Sequence, residues 1–456
     1  MNAETENVAA NKRLVMLPRW LRTHPYTALA VVFFLTMTVP FCSRKFSEWD
    51  EVFVRAAATM WHGQDIYEVR ALGYAYPPFM AWLAIPFALL PGGMERLLFY
   101  VINVVCVTLL CRWAWRLAGG GRLQNAGTSR SEHIAFALGL LCAFRYVLDG
   151  LAHQQVDMII GCLVLGGCLA LSRSRNWLGA TAFGLAAAMK CTAVLFVPYL
   201  LWRRRWLPAL WLAVVAVGVN FLPDLVSGGA PSGRPWALEW YTRFLAPLGD
   251  QNPGEWGSDI VFNQSLAGLC NRYGETRWSW QGKEFAVIAS PTPLSPGVLR
   301  ATVYASEALL AVAALMAFGL RPRKDTAGPS DAQPSHRTLE LSMVLTLMLL
   351  FSPMSSKPHF CTLLLPAFYL ARQALTGARL AAAFLALATV TSCLSIRGIW
   401  GDALSTFGLW WGSITWSTLC LFAGCWYELY RARRASAEVP PVLACASGSF
   451  EYRRAG

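Results

Sequence analysis

Charge is scarce in this chain. Only 14% of the 456 residues are Asp, Glu, Lys or Arg, against roughly 25% in a globular domain. Hydrophobic residues make up 55%, which excludes an ordinary soluble enzyme. No CxxC pair and no zinc-ligand spacing occurs among the 13 cysteines, so thiolate metal sites are not expected. Most of those cysteines lie inside apolar runs, where they serve as small core residues. Walker and dinucleotide motifs are absent, and so is the DxD pattern of nucleotide-sugar chemistry. No cofactor and no divalent metal is indicated. No short-period repeat is visible.

What the chain does have is a series of apolar runs, several near the roughly 20 residues that cross a bilayer as a helix. They are continuous rather than alternating, which argues against a β-barrel. The fold expected is an all-α polytopic membrane protein. The net charge of +13 sits in clusters between the runs, at Lys12-Arg13, Arg173–Arg175, Arg203-Arg204-Arg205, Arg321–Lys324 and Arg431–Arg434. That is the positive-inside pattern, not a nucleic-acid footprint. Residues 1–25 read as a cytoplasmic tail before an uncleaved signal-anchor, 26–430 as the transmembrane domain, and 431–456 as a second cytoplasmic tail.

Requiring the basic loops to share one side gives about twelve crossings. The first is about Tyr26–Cys42, the second Met94–Leu117, the third Ile134–Leu148 and the fourth Met158–Leu171. The stretch between Arg175 and Arg203 has basic residues at both ends. One helix cannot return to its own side, so this segment is expected to form a hairpin with Lys190 near its apex. The seventh is Leu207–Val226, the eighth Val298–Leu320, the ninth Thr338–Phe351 and the tenth Phe360–Ala374. The last two are Leu380–Ile396 and Leu404–Tyr430. Residues 43–93 and 227–297 are the large outer loops. Residues 77–91 are short, apolar and bracketed by prolines, and read as interfacial. Cys42 and Cys270 fall on the outer side, where a disulfide between them would be permitted.

The most informative segment follows the first crossing. Glu48, Asp50 and Glu51 lie about one turn past the membrane exit, followed by Gly63-Gln64-Asp65-Ile66-Tyr67 and Tyr76-Pro77-Pro78. Carboxylates there, in a carboxylate-poor protein, suggest catalysis. Asp50 is the candidate general base, with Glu48 and Glu51 as alternative bases and a solvated acid or helix cap as the bland alternative. Lys190 in an apolar run is a functional hypothesis by default, for instance as a contact to a phosphate; the alternative is a snorkelling lysine.

The order of Asp50, Gly63–Tyr67, Tyr76-Pro77-Pro78, the run around Lys190, Arg203–Trp206, Asn263-Gln264-Ser265-Leu266 and Ser352-Pro353 with His359 resembles glycosyltransferase family 87. These are polyprenol-phosphate-mannose-dependent α-mannosyltransferases of the GT-C superfamily. Many relatives carry a paired His where this chain has His359 alone. The resemblance implies a GT-C fold in a bacterial plasma membrane, with an extracytoplasmic active site and both termini cytoplasmic. It also implies an inverting transfer of a hexose, mannose by resemblance, from a polyprenyl-phosphate donor to a glycolipid or glycan. Asp50 takes the base role in that scheme.

The donor side is then assigned to Lys190, His359, Lys357, Arg145, His153 and Gln154. The acceptor or sugar side is assigned to Glu51, Tyr76, Asn263 and Gln264. Several have plain alternatives: a capping His359, a hydrated turn at Arg145–Asp157, a loop cap at Asn263-Gln264, and an architectural Tyr76-Pro77-Pro78. A lipid or sugar transporter is the competing function, since about twelve spans and a broken hairpin suit one. A non-catalytic assembly subunit is a third.

Overall fold

Apolar runs become helices because lipid offers no hydrogen bonds, so each backbone group must be satisfied within the chain. In a computed structural model, residues 25–68, 73–121, 123, 129–251, 261–274, 278–280, 283–285, 292–319 and 336–437 are described. The expected tails, apart from residues at their inner edges, and most of the stretch between the eighth and ninth crossings lie outside them. The chain opens with α1 (Pro25–Cys42), a π-helical turn (Trp49–Val54), α2 (Arg55–Trp61) and α3 (Pro78–Ala88). Then come α4 (Met94–Leu117), α5 (Arg130–His153), α6 (Asp157–Ser172), α7 (Asn176–Met189) and, after a 3-10 turn, α8 (Phe196–Trp202). The next are α9 (Trp206–Gly218), α10 (Leu222–Ser227), α11 (Trp236–Trp240) and α12 (Leu266–Gly274). The last six are α13 (Pro296–Phe318), α14 (His336–Leu350), α15 (Leu364–Leu375), α16 (Arg379–Cys393), α17 (Arg397–Trp410) and α18 (Ser413–Ala437).

Among the described residues one short antiparallel hairpin is present, β1 (Trp278–Trp280) with β2 (Lys283–Phe285), in register with Trp278 opposite Phe285 along the backbone. The all-α expectation stands, since the described residues are otherwise overwhelmingly helical.

Local signals set the helix starts. Ser129 accepts a hydrogen bond from the Glu132 N–H at the head of α5, and Pro78 opens α3, where a missing N–H costs nothing. α14 is the central helix, buried continuously from Thr338 to Leu350, its few polar side chains included. Around it α5 packs on α15, α6 on α4 and α7, α7 on α9, and α16 and α14 on α18. Gly139 brings α5 against α15; a Cβ there would stand 2.3 Å from the Phe368 ring.

Large apolar side chains face outward along the bundle: Leu29, Val32 and Leu35 on α1, Leu210 and Val214 on α9, and Leu309, Val312 and Met316 on α13. A water-facing surface would not carry such a belt. Among the described residues four helices are long and apolar enough to cross a membrane, and five if the bent pair α16–α17 counts as one span. Tyr26–Cys42, Pro78–Ala88, Asp157–Ser172 and Cys191–Trp202 are apolar but shorter.

The final crossing differs from expectation. Leu404–Tyr430 is not one helix. α17 turns 84° away from α16, is kinked at Gly401 (φ +70°), and is separated from α18 at Gly412 (φ +79°). Gly408 permits the sharp bend, since a Cβ would lie 2.4 Å from the Leu394 carbonyl oxygen. Hydropathy carries no information about chain direction, so the run read as continuous.

The segment 176–205 folds back on itself. The Arg205 guanidinium donates to Asn176 Oδ1, which brings its two ends together, and the helix breaks at Lys190 (φ −158°, ψ 112°). At the basic end of the bundle Glu340 is buried between Arg203 and Arg433 and accepts from the Tyr199 hydroxyl at 3.1 Å. Cys42 and Cys270 are both free thiols, so the permitted disulfide is absent; Cys42 ends α1, whereas Cys270 packs beneath α13.

Candidate active site

The turn that carries Asp50 is pinned from two sides. Trp49 is buried and stacks on Phe99 at 3.8 Å, while buried Phe53 packs on Tyr76 at 4.8 Å. Trp49 and Phe53, four residues apart, share the inward face and turn Asp50 toward the start of α4. Ser47 Oγ accepts the Asp50 N–H at 3.2 Å and donates to the Gln154 side chain.

At the start of α4 stands Arg96. Its Nε donates to Asp50 Oδ2, and its Nη1 donates to the Arg44 carbonyl at 2.6 Å and the Cys42 carbonyl at 3.3 Å. Asp50 Oδ1 is buried and has no hydrogen-bond partner. Burial pushes the Asp50 carboxyl above the usual carboxylate range; Arg96 opposes this, and the charges of Glu95 and Glu51 add to it. Sequence reasoning missed Arg96. The available signal was a cation in the first turn of a helix, where the dipole disfavours it.

A second ionic cluster forms around Asp157, the first residue of α6. Lys190 Nζ lies 3.1 Å from Asp157 Oδ1 and 5.4 Å from the centre of the Tyr76 ring, and it also contacts His359 Nε2. His359 Nε2 is 3.6 Å from the same Asp157 oxygen. His359 Nδ1 accepts the Ser356 N–H at 3.1 Å, so in the neutral ring the proton sits on Nε2. Burial drives the imidazole down to about 3, against the pull of Asp157. Asp157 Oδ2 is buried without a partner.

Glu48 and Tyr76 link the two clusters. Burial pushes the Tyr76 phenol well up, and the charges of Asp157 and Glu48 both add to the effect. Glu48 accepts from the Gln155 amide and lies 3.4 Å from His153 Nδ1. Asp149 is 4.0 Å from His153 Nε2 and 4.0 Å from Lys357 Nζ. Lys190, His359, Tyr76, His153 and Lys357 are thus brought to one end of the bundle with the Asp50 turn.

The other predicted residues stand in the scaffold. Arg145 donates to the Ser392 carbonyl and, at 3.0 Å, to Ser395 Oγ, capping the end of α16. Gln154 adopts a left-handed backbone (φ +56°) and its amide donates to the Phe41 carbonyl at 2.6 Å. Asn263 and Gln264 are 0% exposed. Asn263 bonds the Pro353 carbonyl and accepts the Ser265 and Ser355 N–H groups, and Gln264 donates to the Val261 and Leu409 carbonyls. Both side chains bond backbone groups, while Gln264 Oε1 is buried without a hydrogen-bond partner. Glu51 pairs with Arg55 at 3.5 Å on the exposed side. Asp65 Oδ1 accepts the Tyr67 N–H at 2.8 Å and Oδ2 pairs with Arg243 at 2.6 Å, which ties the two large loops together.

Helices with outward apolar faces around ionic clusters at one end define a helical membrane protein. The chain belongs to glycosyltransferase family 87, whose sequence model matches residues 74–353. That range includes Tyr76, Arg96, Asp157 and Lys190, and stops short of Asp50 and His359. A polyprenol-phosphate-mannose-dependent alpha-(1-2)-phosphatidylinositol pentamannoside mannosyltransferase of Mycobacterium tuberculosis is 27% identical over 322 residues, 68% of this chain and 62% of that protein. A protein of the same description from Mycolicibacterium smegmatis is 30% identical over 205 residues, 44% of each chain. The matched stretch spans less than two thirds of either relative.

Proposed function

We propose that this protein is an inverting glycosyltransferase that moves mannose from a polyprenyl-phosphate donor to a membrane glycolipid of the phosphatidylinositol mannoside class. The carrying observation is the state of Asp50: one carboxylate oxygen held by Arg96, the other buried and free. The free Oδ1 is the atom that takes the acceptor hydroxyl's proton. The acceptor oxygen bonds to the anomeric carbon as the bond from that carbon to the phosphate oxygen breaks. Its electron pair leaves with the polyprenyl phosphate. A single displacement inverts the anomeric centre.

Charge grows on the phosphate as it leaves, and preorganised donors there lower the barrier. Lys190 and the Nε2–H of His359 fill that role, with Asp157 as their counter-ion before donor arrives. A phosphate leaving group does not require a strong general acid, so one carboxylate suffices. The names of the two relatives support the donor and acceptor classes. The gathering of Arg203, Arg205 and Arg433 at the other end supports an extracytoplasmic cleft by the positive-inside rule.

The test is product formation by purified protein in lipid, with labelled polyprenyl-phosphate-mannose and extracted phosphatidylinositol mannosides. NMR of the product should show the anomeric configuration opposite to the donor's. Retention at that centre would contradict the single displacement.

A further inference from the structure

Arg96 is an unusual choice for the first turn of a helix. The N-terminal end of α4 already carries positive dipole character, and a cation there costs stability unless it is paired. The pairing is threefold: Asp50 Oδ2, the Cys42 carbonyl and the Arg44 carbonyl. Two of the three partners are backbone atoms just past the end of α1 or at its last residue. The guanidinium is a rigid planar fork, so two backbone anchors fix the plane in which the third bond reaches Asp50. The helix start is held as well, since the Gly93 N–H donates to Glu95 Oε1 at 3.0 Å.

We propose that Arg96 is a positioning residue for Asp50, gripping Oδ2 so that Oδ1 alone is presented to the acceptor hydroxyl. The inference rests on the reading of Asp50 as the base. A carboxylate free to rotate would exchange its two oxygens and offer the incoming hydroxyl a range of angles. A misplacement of about 1 Å at a reacting group can lower the rate about 10²-fold.

The charges facing Asp50 are few. Arg96 and Glu95 come from α4, and Glu51 from its own turn, where Glu51 is itself paired with Arg55. Glu48 lies two residues before it, and the Cys42 thiol ends α1. The helix α3, packed on the same turn, carries no titratable side chain. Among the described residues Arg96 is the cation in direct contact with Asp50, so its removal should make Asp50 harder to ionise.

Wild type, Arg96→Gln, Arg96→Lys and Asp50→Asn are compared by two readouts. The first is mannose transfer as a function of pH, resolved into kcat and donor KM. The second is pH-difference infrared spectroscopy, using the protonated carboxyl band that Asp50→Asn removes. Arg96→Gln should lower kcat about 10²-fold, leave donor KM nearly unchanged, and move the Asp50 midpoint to higher pH. Arg96→Lys should keep the midpoint near wild type, because the charge remains. It should still lose about tenfold in kcat, because a lysine cannot reproduce the fork. It also carries the test if the glutamine variant does not fold.

An unmoved Asp50 midpoint in Arg96→Gln overturns the proposal whatever the transfer assay gives. So does an unchanged kcat in Arg96→Gln, since the grip on Oδ2 would then not matter to the transfer step. No transfer by wild type, with a midpoint that moves, overturns the transferase reading instead.

Discussion

Lys190 Nζ meets Asp157 Oδ1 at 3.1 Å where a helical hairpin turns. Both groups are largely buried, at 15% and 4% side-chain exposure. An isolated ion at that depth would be unfavourable, and each makes the other tolerable. His359 approaches the same oxygen, so two nitrogen donors converge on one carboxylate. An incoming phosphate would offer these donors a second anion.

Lys190→Met should therefore have two effects. It strands Asp157 and should destabilise the protein by about 3 kcal/mol, the low end for a broken buried pair. It should also weaken binding of polyprenyl phosphate at least about tenfold, roughly 1.4 kcal/mol. Thermal unfolding and lipid-carrier binding measure the two separately.

His359→Asn separates the two ring nitrogens. Asparagine retains an acceptor for the Ser356 N–H and loses the donor at Nε2. Stability should change little, and kcat should fall about 10²-fold, as when one donor to a developing anion is removed. A stability loss without a kcat effect would make His359 a capping residue only.

The acid limb of the pH profile should belong to Asp50. A base works when ionised, so transfer should rise with pH through a midpoint above the usual carboxylate range, the direction burial imposes. Stability moves the other way. The folded value lies above the unfolded one, so the folded state holds this proton more tightly. The Asp50 contribution is fully present below the unfolded value and is lost as pH rises through the folded one. Rate and unfolding profiles on wild type and Asp50→Asn check both signs.

Asn263→Ala should act on the scaffold. It leaves the Ser265 and Ser355 N–H groups and the Pro353 carbonyl without their partner, a loss of about 1–3 kcal/mol per stranded group. Donor KM should stay at the wild-type value. A raised KM with an unchanged melting temperature would return Asn263 to the sugar site.

Gly408→Ala should disturb the bend between α16 and α17. The added methyl meets a backbone carbonyl at 2.4 Å, which cannot give way as a side chain would. A cost of about 1–3 kcal/mol is expected, typical of overpacking, and a lower melting temperature would report it.

How much of this was legible in the sequence varied by residue. α4 was clear, because Met94–Leu117 is one apolar run between a glycine pair and a basic end. The break at Lys190 was legible from basic residues on both flanks of a segment too long to ignore. The break at Trp411-Gly412 was not, because apolar content continues through it while the backbone changes direction. Asp50 stood out by its charge in a charge-poor chain. Its partner Arg96 did not, because the pair is 46 positions apart and lies on two elements. Asn263 and Gln264 looked like ligands for a sugar because they are polar in an outer loop; beside local partners they bond Pro353, Ser355 and Leu409, about 90 to 145 positions away, which no local pattern names.

The central claim is that Asp50 is the base, and sugar transfer by purified protein in lipid tests it most directly, wild type beside Asp50→Asn. Transfer by wild type that the variant loses, with polyprenyl-phosphate-mannose still bound equally, is the expected result. Equal transfer by both proteins would contradict it.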